Sequence, residues 1–445
     1  MSSGNINQKG QNRPQQQPQQ PPRQNPSPTE PAETESAVSE PRSERKATLA
    51  ILGAGPIGVE AALVASRLKI DFMWFEKAQV GDHLNKWGHL QTHAPAKTMV
   101  SEIGLEEIRK NNLEEFLVNL EEPATGKAFR DGYLSLLLET PLLSGKLEAG
   151  TEAVAAGRDN RLREDPRGPR DPVGPFRLFV RGPNNQEQHV LADAVIDCTG
   201  VLATPRPMGK GGLPAPGENA CKDRIAYCVE DIPGADRKKF ADRTVMVVGA
   251  GVSAATAVTQ LAELAKEHEA TWVVWLSRRN STLPVRRIPQ DPLKGRDSIA
   301  AAANHIACRP EGNLEFHSGA WIDRLEPQGN DKPVKVFATI GGKEQMWEVD
   351  RILSLCGYQP SRLLNRELRM PWETSLDLPP TGLDSREQEL NPGPATEEPG
   401  WYVLGSKSYG RASGFEVRAG YRQVRQAMAE ILRVRLPEIT KRLAA

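Results

Sequence analysis

Two short glycine-containing motifs, about 200 residues apart, constrain the fold of this chain more than any other feature. The first motif, GAGPIG at residues 53–58, follows the apolar segment TLAIL and precedes an alanine-rich segment with a helical apolar pattern at residues 59–70. A second apolar segment at residues 71–77 carries an acid near its end. The order strand, G-x-G-x-x-G, helix, strand and acid predicts a Rossmann-type unit that binds a dinucleotide.

Each position of this first motif has a predicted role. Gly53 permits a tight turn, Gly55 lets the backbone approach a pyrophosphate, and Gly58 lets the helix pack closely on the strand. Pro56 and Ile57 lie in the first helical turn, where the missing N–H of proline costs nothing. The free N–H groups and the positive dipole end of the helix are expected to face the phosphates.

An acid at the end of the second strand predicts which part of the nucleotide lies there. Glu76 stands 18 residues after Gly58, next to Lys77. A carboxylate at this position can accept hydrogen bonds from ribose hydroxyls. We therefore expect the ribose of the first nucleotide at Glu76, with Lys77 beside it.

The second motif, GAGVSA at residues 249–254, has the same setting, because it follows the strand-like TVMVV and precedes a helical pattern. Gly249 and Gly251 correspond to the first two glycines, Val252 and Ser253 begin the helix, and Ala254 replaces the third glycine, which the fingerprint tolerates.

The strand after the second motif ends in arginines instead of an acid. Residues 271–280 read TWVVWLSRRN, so this strand ends in Ser277, Arg278 and Arg279, whereas the corresponding strand of the first unit ends near Glu76. A guanidinium matches the oxygens of a 2′-phosphate, whereas an acid would repel it. This difference favours NADPH over NADH at the second site, while a merely solvated arginine pair is the alternative.

Three further segments complete the pattern. Residues 190–200 (VLADAVIDCTG) and 349–360 (VDRILSLCGYQP) read as strands that end at glycine turns, and residues 400–432 read as a strand, a Gly-Ser turn, a loop and a helix. With these segments the chain resembles the flavoproteins with two dinucleotide-binding domains, the superfamily of thioredoxin reductases, glutathione reductases and flavin-containing monooxygenases. The resemblance covers roughly residues 47 to 435.

The resemblance implies an α/β fold with two Rossmann-like domains, FAD in the first and NADPH in the second. It implies that residues 47–205 and 356–445 form a discontinuous FAD domain and that residues 206–355 form an inserted NAD(P)H domain. The additional cofactor-binding residues expected from it are Trp87, Thr199, Gly200, Gly357, Gly405 and Ser406. Within the superfamily, the run GLPAPGENACKDRIAYCVEDIPGADRKKFADRTVMVVGAGVSA and the ending YVLGSKSYGR…GYRQV resemble a bacterial group of FAD-dependent oxidoreductases or flavin-containing monooxygenase-like proteins.

Composition excludes several other classes. Residues 1–46 are rich in Gln, Pro, Ser and Glu and are predicted to be a disordered tail. The 57 basic and 57 acidic residues balance, so no net field favours nucleic acid or an anionic membrane. No apolar run approaches the roughly 18 residues of a membrane span.

Five scattered cysteines without a leader favour the reducing cytoplasm. The oligomeric state is open, with a homodimer as one possibility.

The segment at residues 81–104 follows the first unit and holds Trp87 with three of the seven histidines, His83, His89 and His93. In the superfamily this region lines the flavin, so a role beside the flavin or in packing is expected. His89 and His93 have the spacing of a helical metal pair, but no other ligands accompany them and Pro95 follows, so no metal is predicted.

Three functions remain open, and they differ in where the electrons go. An FAD-dependent oxidoreductase would take hydride from NADPH and pass electrons to O₂ or an organic acceptor, as a monooxygenase-like enzyme. A reductase of a disulfide or other small acceptor would have to work without a protein dithiol, because no cysteine pair is present. A non-enzymatic nucleotide-binding or sensing flavoprotein is the third. No acid–base residue is predicted, and residues 213–231 lack the F-x-G-x-x-x-H fingerprint of flavin-containing and Baeyer–Villiger monooxygenases.

Overall fold

The computed structural model describes residues 44–166, 174–288, 290–291, 293–329, 332–370 and 398–443, and the side chains of these residues up to 433. The predicted tail lies outside these ranges except at its end. There Arg45 and Lys46 belong to the first strand, where they pair with Val190 and Leu191, so these two residues are not part of a disordered tail.

The described residues contain seventeen strands and eight α-helices, joined by loops and short 3₁₀- or π-helical turns. The strands are β1 (Arg45–Leu52), β2 (Phe72–Glu76), β3 (Gln91–Pro95), β4 (Pro123–Thr125), β5 (Leu147–Ala149), β6 (Glu152–Arg158), β7 (Phe176–Arg181), β8 (Glu187–Asp197), β9 (Ile225–Ala226), β10 (Thr244–Val248), β11 (Trp272–Ser277), β12 (Leu314–Ser318), β13 (Ala320–Glu326), β14 (Val334–Ile340), β15 (Lys343–Val349), β16 (Arg351–Ser354) and β17 (Trp401–Val403). The helices are α1 (Pro56–Arg67), α2 (Asp82–Asn85), α3 (Glu102–Lys110), α4 (Gly126–Phe129), α5 (Leu136–Glu139), α6 (Val252–Glu267), α7 (Lys294–Cys308) and α8 (Val417–Leu443).

The first sheet joins strands from two distant parts of the chain. Its order is β5-β2-β1-β8-β7-β6, and β17 pairs with the end of β8. The strands β5, β2, β1, β8 and β17 run parallel, whereas β6 and β7 form an antiparallel extension. The continuous apolar run in β1 is buried because elements cover both faces of a parallel sheet.

The second sheet is entirely parallel, with the order β12-β11-β10-β16-β9. Between β12 and β16 the chain forms a separate antiparallel sheet of β13, β14 and β15. Helix α6 follows β10 and buries its alanine-rich face, as α1 does after β1. The chain therefore contains two Rossmann-like units of the predicted type.

The C-terminal helix returns to the first unit. A Cβ atom at Gly420 in α8 would lie 2.3 Å from Cδ1 of Ile57 in α1, so glycine lets the two helices approach without displacing the Ile57 side chain. A Cβ atom at Gly405, after β17, would lie 3.2 Å from Cγ1 of Ile57. The end of the chain thus packs on the first turn of α1, next to the first glycine motif.

Among the described helices, none combines the length and the apolar character that a membrane span requires.

A glycine in the second unit offers a test of this packing. Gly217 has φ +86°, and its Cβ would lie 1.9 Å from the carbonyl oxygen of Leu325 in β13, whereas Gly211 has φ +68° with open space around it. We expect Gly211→Ala to cost about 1–2 kcal/mol through its backbone conformation alone. Gly217→Ala should cost about 3 kcal/mol or more, because the loop must also move away from β13. Thermal melting of both variants checks this, and equal losses would show that the contact is unimportant.

Candidate functional site

The first glycine motif forms a tight turn at the carboxyl end of β1. Gly53 has φ +98°, and a Cβ there would lie 2.7 Å from the carbonyl oxygen of Cys198. A Cβ at Gly58 would lie 2.0 Å from the carbonyl oxygen of Gly53. Gly55 is the N-cap of α1, and Pro56 is its first residue. These contacts explain the glycines sterically, and they set the N-terminus of α1 directly beside the strand end.

Glu76 at the end of β2 lies beside this turn. Its Oε2 accepts a hydrogen bond from the Ala54 amide at 2.8 Å, and its Oε1 accepts one from the Ala78 amide at 3.0 Å. Because each carboxylate oxygen has two lone pairs, both retain the capacity to accept another hydrogen bond. The neighbouring Lys77 is exposed.

The predicted site residues in the segments at 190–200 and 400–432 lie close together, next to the first motif. A Cβ at Gly200, just after β8, would lie 3.4 Å from Oγ of Ser406. The Gly405 amide donates to Oε1 of Gln423 in α8 at 2.9 Å. The structure therefore brings Gly200, Gly405 and Ser406 together near Ile57.

A buried ion pair links the segment after β17 to the end of β8. Nζ of Lys407 lies 2.6 Å from Oδ2 of Asp197, and both side chains are almost fully buried. Lys407 also donates to Oγ1 of Thr199 at 3.1 Å, and the Thr199 hydroxyl donates to Oδ1 of Asp197 at 2.6 Å. Removing either charge would leave the other buried without compensation. Asp197 and Lys407 were not predicted, because neither residue type is distinctive until the fold joins them.

The second glycine motif repeats the first at the end of β10. Gly249 has φ +139°, and a Cβ there would lie 2.3 Å from the carbonyl oxygen of Leu355. Gly251 is the N-cap of α6, with open space where a Cβ would lie, and Ala254 is fully buried. Val252 and Ser253 begin α6, as predicted.

The strand register shows which residue of the second unit corresponds to Glu76. Leu52 pairs with Phe75 and Val248 pairs with Leu276, so Ser277 occupies the position of Glu76. Ser277 is buried, and its Oγ accepts a hydrogen bond from the Arg279 amide at 3.2 Å. Arg278 and Arg279 are exposed beyond it, and a guanidinium N–H of Arg279 reaches the Pro284 carbonyl at 3.3 Å.

The segment at residues 81–104, predicted to line the flavin, places Trp87 and His83 in different surroundings. Trp87 packs against Gly126, whose Cβ would lie 2.8 Å from Cε3 of its ring. The half-buried His83 instead lies beside the turn, with Cε1 3.1 Å from where a Cβ of Gly55 would be. Burial lowers the pKa of His83 to about 4, so its imidazole is neutral near pH 7. The histidine-rich composition of this segment was the only sequence signal for it.

Gly357 and His93 have contacts of their own. Gly357, with φ +87°, accepts a hydrogen bond on its carbonyl from the Arg206 amide at 2.9 Å. His93 lies in a strand, so the helical spacing of His89 and His93 is not realised, and His93 packs beside Gly295 of α7. Within the described ranges no group of three or more potential metal ligands occurs.

All five cysteines are free thiols. Burial raises the pKa of Cys198 well above its usual range and also raises the pKa of Cys356. A thiol with a raised pKa is a poor nucleophile, because the thiolate is the reactive form.

No protein-family model matches the sequence, and no curated protein matches it in a sequence search. Solved structures do match its fold. Bacillithiol disulfide reductase from Bacillus cereus aligns with a TM-score of 0.63 and 16% identity over 87% of this chain and 100% of its own. Ornithine N-hydroxylase from Kutzneria sp. 744 aligns with a TM-score of 0.58 and 14% identity over 88% of this chain and 100% of its own. The FAD-bound cadaverine monooxygenase from Erwinia amylovora aligns with a TM-score of 0.62 and 11% identity over 87% of this chain and 95% of its own. The predicted fold class and the resemblance at the level of the fold are confirmed.

The depressed pKa of His83 gives a pH-dependent prediction. Its pKa is about 4 in the folded chain against 6.5 for a free histidine, so the unfolded chain binds the extra proton between these values. The stability gained from the neutral imidazole is therefore present above pH 6.5 and is lost as the pH falls towards 4, by roughly 1–3 kcal/mol. Melting temperatures of wild type and His83→Gln across this range check it: the wild-type curve should fall more steeply. Parallel curves would contradict the assignment.

Proposed function

We propose that this chain is an FAD-dependent oxidoreductase that takes hydride from NADPH and passes the electrons to O₂ or to an organic acceptor. The observation that carries the proposal is that the same structural motif occurs twice with side chains of opposite charge beside it. In each unit a parallel strand, β1 or β10, ends in a glycine turn at a helix N-terminus, but one turn is flanked by an acid and the other by two arginines. Two different nucleotides, of which only the second carries a 2′-phosphate, fit this pair of sites.

The first site suits FAD. The N-terminus of α1 offers backbone N–H groups to the pyrophosphate, and its N-cap, Gly55, carries no side chain that would stand between them. Glu76 has free lone pairs for ribose hydroxyls, and the neutral His83 adds no charge beside Gly55. Thr199, Gly200, Gly405 and Ser406 would lie along the ribityl chain. Contacts of Lys77, Trp87 and Gly357 with FAD stay predictions.

The second site suits NADPH. Ser277 replaces the acid at the register position of Glu76, which removes the charge that would repel a 2′-phosphate. The exposed Arg278 and Arg279 can approach that phosphate from the end of β11. Gly249, Gly251 and the first turn of α6 would hold the pyrophosphate.

FAD, when bound, supplies the hydride acceptor and the two-electron chemistry of the site. The chain supplies position and polarity. The buried ion pair of Lys407 and Asp197 holds the segment after β17 against β8 of the first unit. The N-termini of α1 and α6 would orient the two nucleotides.

An oxygenase-type function agrees with the burial that raises the pKa of the Cys198 and Cys356 thiols, because neither is then suited to act as a thiolate. Two of the structural neighbours are, by name, an N-hydroxylase and a monooxygenase. A dithiol-independent reductase is the second candidate, which the likeness to bacillithiol disulfide reductase favours.

Anaerobic reduction tests the proposal. The purified chain should carry FAD or take it up, and NADPH added without O₂ should bleach the visible flavin absorbance. A folded protein that fails to take up added FAD would exclude the proposal, and FAD-loaded protein that NADPH does not bleach would point to nucleotide sensing instead.

The same reduced sample separates the two candidate acceptors. Admitting O₂ should restore the flavin absorbance rapidly if O₂ is the acceptor. Rapid recovery with a low-molecular-weight disulfide, combined with slow recovery in O₂, would favour the reductase.

Arg278 and Arg279 give a test of nucleotide choice. The double variant Arg278→Ala, Arg279→Ala should raise the KM for NADPH roughly 10- to 100-fold, since it loses charge-assisted hydrogen bonds to the phosphate, and should change the KM for NADH little. Arg243→Ala is the matched control, because Arg243 is also exposed but precedes β10 at the opposite end of the sheet. Equal increases for both nucleotides would contradict the assignment.

A further inference from the structure

A buried tryptophan holds the first glycine of each motif. Nε1 of Trp74 in β2 donates to the carbonyl oxygen of Gly53 at 3.0 Å, and Nε1 of Trp275 in β11 donates to the carbonyl oxygen of Gly249 at 2.8 Å. Both indole rings are fully buried. The two units therefore contain the same hydrogen bond at the same point of the nucleotide turn.

The strand register shows that the two tryptophans are structurally equivalent. Trp74 pairs with Ile51 and Trp275 pairs with Val247, and in each case the partner lies two residues before the first glycine. The sequence separation differs, since Gly53 and Trp74 are 21 residues apart and Gly249 and Trp275 are 26 apart. Part of the difference is the length of the intervening helix, which is 12 residues in α1 and 16 in α6.

The hydrogen bond fixes one peptide group of the turn. In the first unit the Gly53 carbonyl accepts from Trp74, while the N–H of the same peptide, at Ala54, donates to Glu76 at 2.8 Å. Trp74 and Glu76 are two residues apart in one strand, so they project from the same face. Two side chains of β2 thus bind the carbonyl oxygen and the N–H of the peptide group between Gly53 and Ala54, just before α1.

We propose that Trp74 and Trp275 are positioning residues that keep the two nucleotide turns in their binding conformation, Trp74 for FAD and Trp275 for NADPH. The inference rests on the proposed function for the identity of the nucleotides. A buried carbonyl that loses its donor must find another partner, so the turn relaxes and has to be reordered when the nucleotide binds. The effect should therefore appear in the affinity for one nucleotide and not the other.

Trp74→Phe and Trp275→Phe test this in the full chain, because phenylalanine keeps an aromatic ring but removes the N–H donor. Titration calorimetry gives the Kd of FAD for the apoprotein and the Kd of NADP⁺ for the FAD-saturated protein. Trp74→Phe should weaken FAD about tenfold and leave NADP⁺ unchanged, and Trp275→Phe should do the reverse.

Trp401→Phe is the matched control. Trp401 is fully buried in β17 of the first sheet and packs edge-on against Phe176, with ring centroids 5.3 Å apart. It should lower the melting temperature without changing either Kd. A merely structural role for Trp74 and Trp275 predicts the same result for all three variants, and that result would overturn the inference.

Three further outcomes are distinguishable. If Trp74→Phe does not fold, Trp275→Phe decides alone, because an unchanged NADP⁺ affinity overturns the inference and a selective loss supports it. If the wild-type chain binds neither nucleotide, the proposed function itself fails. If the wild type binds both and the variants keep both affinities, only the positioning role is wrong.

Discussion

The close contact between Gly58 and the carbonyl oxygen of Gly53 is the constraint on which the first site depends. With no Cβ at Gly58, α1 can begin almost against the end of β1, so that its N–H groups face the space where a pyrophosphate would lie. Any larger residue would push the helix away from the strand. The approach of α8 through Gly420, and of the segment after β17 through Gly405, depends on the position that this contact gives to Ile57.

The second unit has the same frame with different chemistry. Ala254 takes the place of the third glycine, and Ser277 takes the place of the acid. The order of strand, turn and helix N-terminus is kept, but because Ala254 carries a Cβ, the very close contact found at Gly58 is particular to the first unit. The charge beside the turn can therefore change without disturbing the fold, which is how one architecture can hold two nucleotides in one chain.

Sharing a fold does not decide where the electrons go. The structural neighbours include enzymes named as a disulfide reductase and as hydroxylating enzymes, at 11–16% identity to this chain. Fold and cofactor geometry are set by the glycine turns, whereas the acceptor is set by residues around the reacting atoms. In this chain burial raises the pKa of the Cys198 and Cys356 thiols, so neither of these two residues is suited to act as a thiolate near pH 7.

The sequence by itself determined the two glycine turns, the strands that lead into them and the α/β class, because glycine conformation and apolar runs are local properties. The strand at residues 244–248 lies where it was predicted, and β17 and α8 follow in the expected order. Only the tertiary structure decided which distant side chains meet. Three such relations depend on helix length and strand register. They are the ion pair of Lys407 with Asp197, the position of His83 beside Gly55, and the hydrogen bond that Trp74 and Trp275 each donate to the first glycine of a motif. These long-range relations have no fixed spacing along the chain, so no local pattern could contain them.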